Sequence, residues 1–175
     1  MSKIDVTYHN LLEKILQEGY TYEDPNRKGV NRLEIPSYTF RHEFKDGFPA
    51  ITTKKLHYKN VATELIWFLR GDTNIKYLVD NGCNIWNKDA YNYYLKKHNP
   101  GGYLTDACNI KNIKDYVLKC KENNYEIGDL GKVYGHYWRD YDGFDQIQDI
   151  INKMTNTPMS SEIIVTARNP NDKDN

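Results

Sequence analysis

The sequence predicts one α+β domain in which helices pack on a mixed β-sheet. Two segments with apolar residues at helical spacing, one near the amino terminus and one over residues 58–70, predict α-helices. A short apolar run at residues 163–167 is typical of a buried strand. At 175 residues the chain is long enough for a single domain, residues 1–175, with its own core.

The first third of the chain predicts a helix, a loop and a strand. Apolar residues from Val6 to Leu16 recur at helical spacing, and Gly19 is expected to end this helix. Residues 23–32 are rich in turn formers. Residues 33–44 show a period of two and predict an extended segment, which Pro36 interrupts as at a sheet edge or a bulge.

The middle of the chain predicts two consecutive helices. Residues 58–70 form the clearest helical pattern, and Gly71 ends it. Thr73 is expected to cap a short second helix that ends before Gly82.

The rest of the chain predicts a surface insertion, a helix and a strand. Residues 91–125 are rich in Lys, Asn and Tyr, which favours an insertion rather than a second domain. Apolar positions over residues 144–154 predict a helix stopped by Pro158, and the strand at residues 163–167 follows.

Composition excludes several classes of protein. Twenty-four basic residues balance 24 acidic ones, so the global positive field of a sequence-independent nucleic-acid binder is absent. No apolar run approaches the roughly 18 residues of a membrane span, and the chain does not start like a signal peptide. Three cysteines without a Cys-x-x-Cys argue against a disulfide framework and a metal site. We therefore expect a cytoplasmic protein.

Glu64 is a candidate acid or base. Val61, Leu65, Phe68 and Leu69 form an apolar stripe on the helix over residues 58–70, and Glu64 projects near that stripe. A carboxyl group against apolar neighbours has its charged form disfavoured, which suits proton exchange near neutral pH. The alternative is a carboxylate at the edge of the stripe that reaches water or pairs with a Lys or Arg.

Arg27 is a candidate phosphate ligand. Arg27, Lys28 and Arg32 surround a flexible turn, and the guanidinium group can grip a phosphate through two parallel bonds. The alternative is a solvated basic loop.

Three further side chains are candidates with a simpler alternative each. The ring of Trp86 can stack on a pterin or a base, or belong to the core. The phenol of Tyr134 suits a proton relay, or is a satisfied core hydroxyl. His57 is either a ligand contact or a residue at a helix start.

Two long motifs carry a family resemblance. They are ELIWFLRGDTN at residues 64–74 and GDLGKVYGHYWR at residues 128–139. In this order they resemble the thymidylate synthase family, over nearly all of residues 6–171 except the insertion. The resemblance implies the family fold, a homodimer, and transfer and reduction of a one-carbon unit from 5,10-methylenetetrahydrofolate to dUMP. The products would be dTMP and dihydrofolate.

The resemblance also implies roles for single residues. Glu64 would organise water and proton transfer around the pyrimidine, Tyr134 would lie near the pyrimidine, and Arg27 would close on the dUMP phosphate. On the folate side the segment of residues 85–87 would line the cofactor pocket, with Asn87 in place of the family's acid. The basic segment of residues 48–57 would lie along the folate and its glutamate tail. These cofactor-side candidates are His57, Ile85, Trp86 and Asn87.

Two departures from the family pattern are serious for catalysis. No Pro-Cys-His segment with the attacking thiolate occurs, so the chain resembles the front part of the enzyme, incomplete at its carboxyl end. Cys83, Cys108 and Cys120 are expected to be structural. Ser161 and Glu162 stand where the family has two arginines that reach the partner's phosphate, and a Glu would repel a phosphate.

Three interpretations therefore stay open. The first is a thymidylate synthase whose 175-residue piece alone makes no dTMP. The second is a related pyrimidine nucleotide hydroxymethylase. The third is a catalytically inactive nucleotide-binding or dimerising protein, which the Ser161 and Glu162 departure favours.

Overall fold

The computed structural model describes residues 2–25, 27–98, 110–122, 127–170 and 172. They fall into two compact units, residues 1–57 and residues 58–175. Helices and strands occur together, which confirms the α+β class. The prediction of one domain over residues 1–175 stays a prediction.

The first unit begins with helix α1, Lys3–Glu18. The Ser2 hydroxyl accepts a hydrogen bond from the Asp5 amide, and the Asp5 carboxylate accepts one from the Ser2 amide, so the two residues form a capping box. The helix ends at Gly19, whose amide donates to the Ile15 carbonyl at 2.9 Å. A Cβ at Gly19 would lie 2.3 Å from that carbonyl oxygen, so only glycine fits. The predicted helix and its end are confirmed.

A small antiparallel sheet follows α1. Strand β1, Tyr20–Glu23, pairs with strand β2, Asn31–Glu34. The predicted strand over residues 33–44 is wrong beyond Glu34, because the described residues offer residues 35–43 no strand partner and Pro36 has no amide to donate. A 3-10 helix, Phe44–Asp46, comes next, and residues 48–57 are irregular.

The second unit is built from helices. They are α2, Tyr58–Leu69; α3, Lys76–Asp80; α4, Asn87–His98; α5, Ile113–Lys121; α6, Tyr134–Arg139; and α7, Gln146–Asn156. Helix α2 packs on α6, α3 on α5, α4 on α5, and α6 on α7. The core contains fully buried side chains from several of these helices and their connections: Trp67, Ile75, Leu78, Cys83, Ala90, Tyr116 and Cys120.

The buried face of α2 differs from the predicted stripe. Thr63 and Trp67 are the buried positions, whereas Val61 and Leu65 are about half exposed. The large indole of Trp67 takes the core position because it packs on other rings and its Nε1 donates to the Asn74 carbonyl at 2.8 Å.

Residues 73–76 pair with residues 127–130 and close a long stretch of chain. The Ile75 amide donates to the Gly128 carbonyl at 2.9 Å, and the Leu130 amide donates to the Thr73 carbonyl at 3.0 Å. Thr73 does not cap α3, because its hydroxyl donates to Asp129 Oδ1 at 2.8 Å. The Asn74 side chain accepts from the Lys76 amide instead.

The segment predicted as a surface insertion contributes to this core. Tyr94 of α4 and Tyr116 of α5 are buried, and the Tyr116 hydroxyl donates to the Ala90 carbonyl at 3.1 Å. Residues 99–109 and 123–126 of this segment lie outside the described residues. The bounds of the insertion, residues 91–125, stay a prediction.

The last elements agree in part with the sequence. Helix α7 is confirmed, with Asp145 as its cap. The predicted strand at residues 163–167 is wrong within the described residues, where it has no strand to pair with. The segment is held instead by hydrogen bonds to the Gln146 side chain. Gln146 accepts from the Thr166 amide at 2.9 Å and donates to the Thr166 and Tyr137 carbonyls.

Candidate active site

Helix α2 and the start of α4 meet at one hydrogen bond. The indole Nε1 of Trp86 donates to Glu64 Oε1 at 2.7 Å. Among the described residues this is the hydrogen bond that holds the Glu64 carboxylate, and no ion pair with a Lys or Arg is formed there. The bond fixes one oxygen of a partly buried carboxylate and orients the indole ring.

Three aromatic rings meet edge to face beside this pair. The ring centroids of Phe68 and Tyr134 lie 5.4 Å apart, those of Trp86 and Tyr134 6.1 Å, and those of Phe68 and Trp86 6.2 Å. The planes are steeply inclined, at 70° to 85°, which is a favourable arrangement for aromatic pairs. Glu64, Trp86 and Tyr134, predicted from separate motifs, therefore lie together.

A glycine sets the approach of α6 to α2. A Cβ at Gly135 would lie 2.8 Å from the Phe68 carbonyl oxygen and 2.9 Å from its Cα. Only a residue without a side chain allows this contact, which places the adjacent Tyr134 against Phe68. Tyr134 remains 47% exposed, and its hydroxyl has no hydrogen-bond partner within the described ranges.

Trp86 and Tyr134 line a cleft of about 530 Å³. The sequence did not point to most of the other lining residues, which come from α4, from α6 and the segment before it, and from the segment after residue 165. They are Asp89, Tyr93, Leu130, Lys132, Val133, Tyr137, Ala167, Arg168, Asn169 and Asp172. A cleft of this size with aromatic walls and a few polar groups suits a small ligand.

Asp172 is a functional candidate that sequence reasoning missed. It accepts a 2.5 Å hydrogen bond from the Tyr137 hydroxyl and lies 3.4 Å from the Lys132 ammonium group. The Tyr137 hydrogen bond, followed by Lys132, holds the pKa of Asp172 below its ordinary value. Its only signal in the sequence is its position a few residues after a short apolar run, which is too weak to single out one Asp.

The two residues beside Trp86 differ in their surroundings. Ile85 is half exposed and does not line the cleft. Asn87 starts α4, and its Nδ2 donates to Asn84 Oδ1 at 3.1 Å. The Asn87 Oδ1 atom is buried, and the part of the chain described here offers it no donor. Asn87 therefore carries an unused acceptor next to Trp86.

Arg27 and His57 belong to the first unit. Arg27 is exposed in the loop between β1 and β2, where its amide donates to the Asp24 carbonyl at 3.1 Å and its carbonyl accepts from Val30. Its guanidinium group forms no ion pair within the described residues, whereas Arg32 pairs with the buried Asp24 at 2.5 Å. His57 is exposed at the end of the unit.

The described cysteines are buried. Cys83 and Cys120 are fully buried, and burial raises the pKa of both thiols, that of Cys120 to about 11. Such thiols are poor nucleophiles at neutral pH because little thiolate forms. Cys108 lies outside the described residues.

In the described parts of the chain, no group of three or more His, Cys, Asp or Glu side chains could hold a metal ion. No described helix has the length and apolar character needed to cross a membrane.

Comparison with known proteins gives a consistent result. A family model described as thymidylate synthase matches residues 6–175. The thymidylate synthase of Mycoplasma mobile is 40% identical over 163 residues, which cover 91% of this chain and 53% of that protein. Those of Mesoplasma florum and Mycoplasma genitalium are 37% and 35% identical, and the matches cover 96% and 94% of this chain and 56% and 55% of theirs. The chain spans about half the length of the curated relatives it matches.

Proposed function

The chain belongs to the thymidylate synthase family, and we propose that its protein transfers and reduces a one-carbon unit from 5,10-methylenetetrahydrofolate to dUMP, yielding dTMP and dihydrofolate. It would thus be a methyltransferase of dTMP biosynthesis. The observation that supports this most directly is the Glu64 to Trp86 hydrogen bond beside Tyr134 on a cleft wall.

We assign Glu64 and Tyr134 to proton transfer. Glu64 keeps Oε2 without a protein donor in the described part of the chain, so this oxygen can hold or take up a proton at the ligand. The Tyr134 hydroxyl has no protein partner there either and can donate to or accept from an ordered water. Arg27, whose guanidinium group forms no ion pair within the described residues, would bind the dUMP phosphate.

We assign Trp86, Ile85, Asn87 and His57 to the folate. The residues fit a pterin in two respects. Trp86 presents an aromatic ring to the cleft. The buried Asn87 Oδ1 has no donor among the described residues, and a ring N–H or amino group could supply one. Ile85 would supply apolar contact, and His57 would contact the distal part of the folate. A cytoplasmic homodimer completes the proposal and follows from the family resemblance.

The test is product formation by the protein expressed from its complete reading frame. Incubation with dUMP and 5,10-methylenetetrahydrofolate should yield dTMP and dihydrofolate in equal amounts, separated by chromatography. The hydroxymethylated nucleotide in place of dTMP would assign the protein to the hydroxymethylases. The proposal would be overturned if neither the methylated nor the hydroxymethylated nucleotide forms from dUMP or from dCMP.

One observation favours a second candidate, a nucleotide-binding or dimerising protein without catalysis. Ser161 and Glu162 replace the family's arginine pair and are exposed after α7. The Glu162 carbonyl accepts from Lys153 at 3.2 Å, but its carboxylate adds negative charge where a phosphate would bind. Titration with dUMP and the product assay together separate the cases: an enzyme binds dUMP and forms product, a nucleotide-binding protein binds dUMP without forming product, and a dimerising remnant does not bind dUMP.

A further inference from the structure

Within the described residues, few hydrogen bonds hold residues 48–57 in place. The segment contains neither helix nor strand, yet it carries Lys54, Lys55 and His57. Inside it one backbone bond joins the Ala50 amide to the Phe48 carbonyl at 2.7 Å. Among the described residues every side-chain hydrogen bond of this segment is donated by Thr52 and accepted by Asp5.

Asp5 accepts four hydrogen bonds from two separate places. Its Oδ1 accepts from the Thr52 amide at 2.6 Å, and its Oδ2 accepts from the Thr52 hydroxyl at 2.7 Å. Oδ2 also accepts from the Ser2 hydroxyl at 2.8 Å and the Ser2 amide at 3.1 Å. The side chain is buried, and these bonds, those of Thr52 first, hold the pKa of Asp5 well below its ordinary value. Asp5 is therefore a charged anchor.

Helix capping accounts for only half of this arrangement. The Ser2 bonds complete the capping box of α1 and act within the first turn. The Thr52 bonds reach 47 positions along the chain and satisfy no group of the helix. Their effect is to fix one point of an otherwise irregular segment to a rigid helix.

We propose that Asp5 is a positioning residue for the folate: by holding Thr52 it fixes the basic end of residues 48–57 for the negatively charged part of the cofactor. This inference rests on the proposed function. Without the anchor, Lys54, Lys55 and His57 sample more conformations, and binding must then order them. Among the described residues the side-chain hydrogen bonds of Asp5 join it to Ser2 and Thr52, so the loss falls on the ordering of residues 48–57 and hence on cofactor affinity.

The first test is a double-mutant cycle of Asp5→Asn and Thr52→Val in the protein from the complete reading frame. Each change should raise KM for polyglutamylated methylenetetrahydrofolate roughly tenfold and leave kcat within about twofold, because only cofactor binding is altered. The double variant should be no worse than the single ones, because both changes remove the same interaction. Thr52→Val leaves the capping box intact and so remains informative if Asp5→Asn fails to fold.

Two matched controls separate positioning from helix stability. Ser2→Ala removes the cap but not the Thr52 bonds, and Asp46→Asn breaks the 2.9 Å ion pair between Asp46 and Lys3 on the same helix turn. Both should leave KM for the cofactor unchanged. The inference is overturned if KM rises equally in these controls, or if KM is unchanged in both Asp5→Asn and Thr52→Val. In either case, formation of dTMP by the wild type still supports the proposed function.

The second test does not depend on catalysis. Limited digestion of the native protein with trypsin, followed by mass spectrometry, measures cleavage after Lys54 and Lys55. Asp5→Asn and Thr52→Val should speed this cleavage about tenfold relative to other sites, because proteolysis follows the population of the released segment. Equal cleavage in wild type and both variants overturns the anchor itself. If the wild type forms no dTMP, the proposed function and the role of Asp5 in cofactor binding are both overturned. Faster cleavage of Asp5→Asn and Thr52→Val would even then support the structural role of Asp5 in holding Thr52.

Discussion

Trp86 Nε1 donates a hydrogen bond to Glu64 Oε1 across 22 positions of the chain. The bond couples a proton-transfer candidate to a cofactor-side candidate, so that the carboxylate and the indole ring are fixed relative to each other. A change at either residue should therefore affect both proton transfer and cofactor binding. The larger effect depends on whether the replacement keeps the hydrogen bond or the aromatic ring.

Glu64→Gln should reduce kcat by about 10²–10⁴-fold, the usual contribution of a positioned acid or base. Gln retains an acceptor oxygen for the Trp86 indole, so the ring stays in place and the Kd for dUMP should change little. Steady-state kinetics and calorimetric titration with dUMP measure the two quantities. Normal turnover in this variant would remove Glu64 from the mechanism.

Trp86→Phe should weaken cofactor binding roughly tenfold, because it leaves Glu64 Oε1 without its donor and reduces the stacking surface. Trp67→Phe is the matched control, since its indole also donates a hydrogen bond, to Asn74, and packs on Trp86, but it is fully buried and does not line the cleft. The control should cost about 1–3 kcal/mol in stability and change the cofactor Kd less than Trp86→Phe does. Equal effects on the two Kd values would contradict the assignment.

Gly135→Ala should destabilise the second unit by about 1–3 kcal/mol and lower kcat, because the new methyl group forces α6 away from Phe68 and displaces Tyr134. Gly82→Ala provides the comparison. Gly82 has φ +76° and open space around it, so Ala there should cost stability of the same order without lowering kcat. Urea unfolding and kcat report the two effects separately, and a wild-type kcat for Gly135→Ala would refute the packing argument.

Asp5→Asn should remove a pH-dependent part of the stability. The pKa of Asp5 is lowered in the folded state, so its contribution is present above the unfolded pKa of about 4 and is lost as the pH falls through the lower, folded pKa. The difference in Tm between wild type and variant should be largest at neutral pH and shrink below about pH 4. Thermal unfolding across this pH range measures the Tm difference. A difference that grows as the pH falls would contradict a stabilising role of the ionised Asp5.

Cys83 and Cys120 should react slowly with iodoacetamide in the native protein, because burial both shields the thiols and raises their pKa values. With a pKa of about 11, Cys120 holds little thiolate even at mildly alkaline pH. Mass spectrometry of the modified peptides distinguishes the sites, and urea should restore rapid labelling. Rapid native labelling of either residue would reopen its candidacy as a nucleophile.

Local signals predicted helices α1, α2, α3 and α7 but not α4 or α6. Gly19 and Gly71 end α1 and α2 as expected, because a helix end depends on the residues next to it. The burial of Trp67 in place of Val61 and Leu65 depends on which partners α2 meets, and periodicity does not report that. The same holds for residues 163–167, whose strand character requires a neighbouring strand.

The candidate site shows the same division. Motif resemblance singled out Glu64, Trp86 and Tyr134, and the structure brings them together. Asp172, Lys132 and Tyr137 escaped notice because their importance arises from mutual contact across the cleft. Asp5 escaped for a similar reason, since a Ser-x-x-Asp start predicts a cap and gives no sign of Thr52.

The pairing of residues 73–76 with residues 127–130 also sets an order of events during translation. Glu64 and Trp86 can bond once the start of α4 has left the ribosome, whereas Tyr134 arrives only after the chain has returned to Thr73. At about 5–20 residues per second, the roughly fifty intervening residues take several seconds to synthesise. For that interval the rings of Phe68 and Trp86 lack the covering edge of Tyr134, so this part of the site is completed only in the last stage of synthesis of these residues.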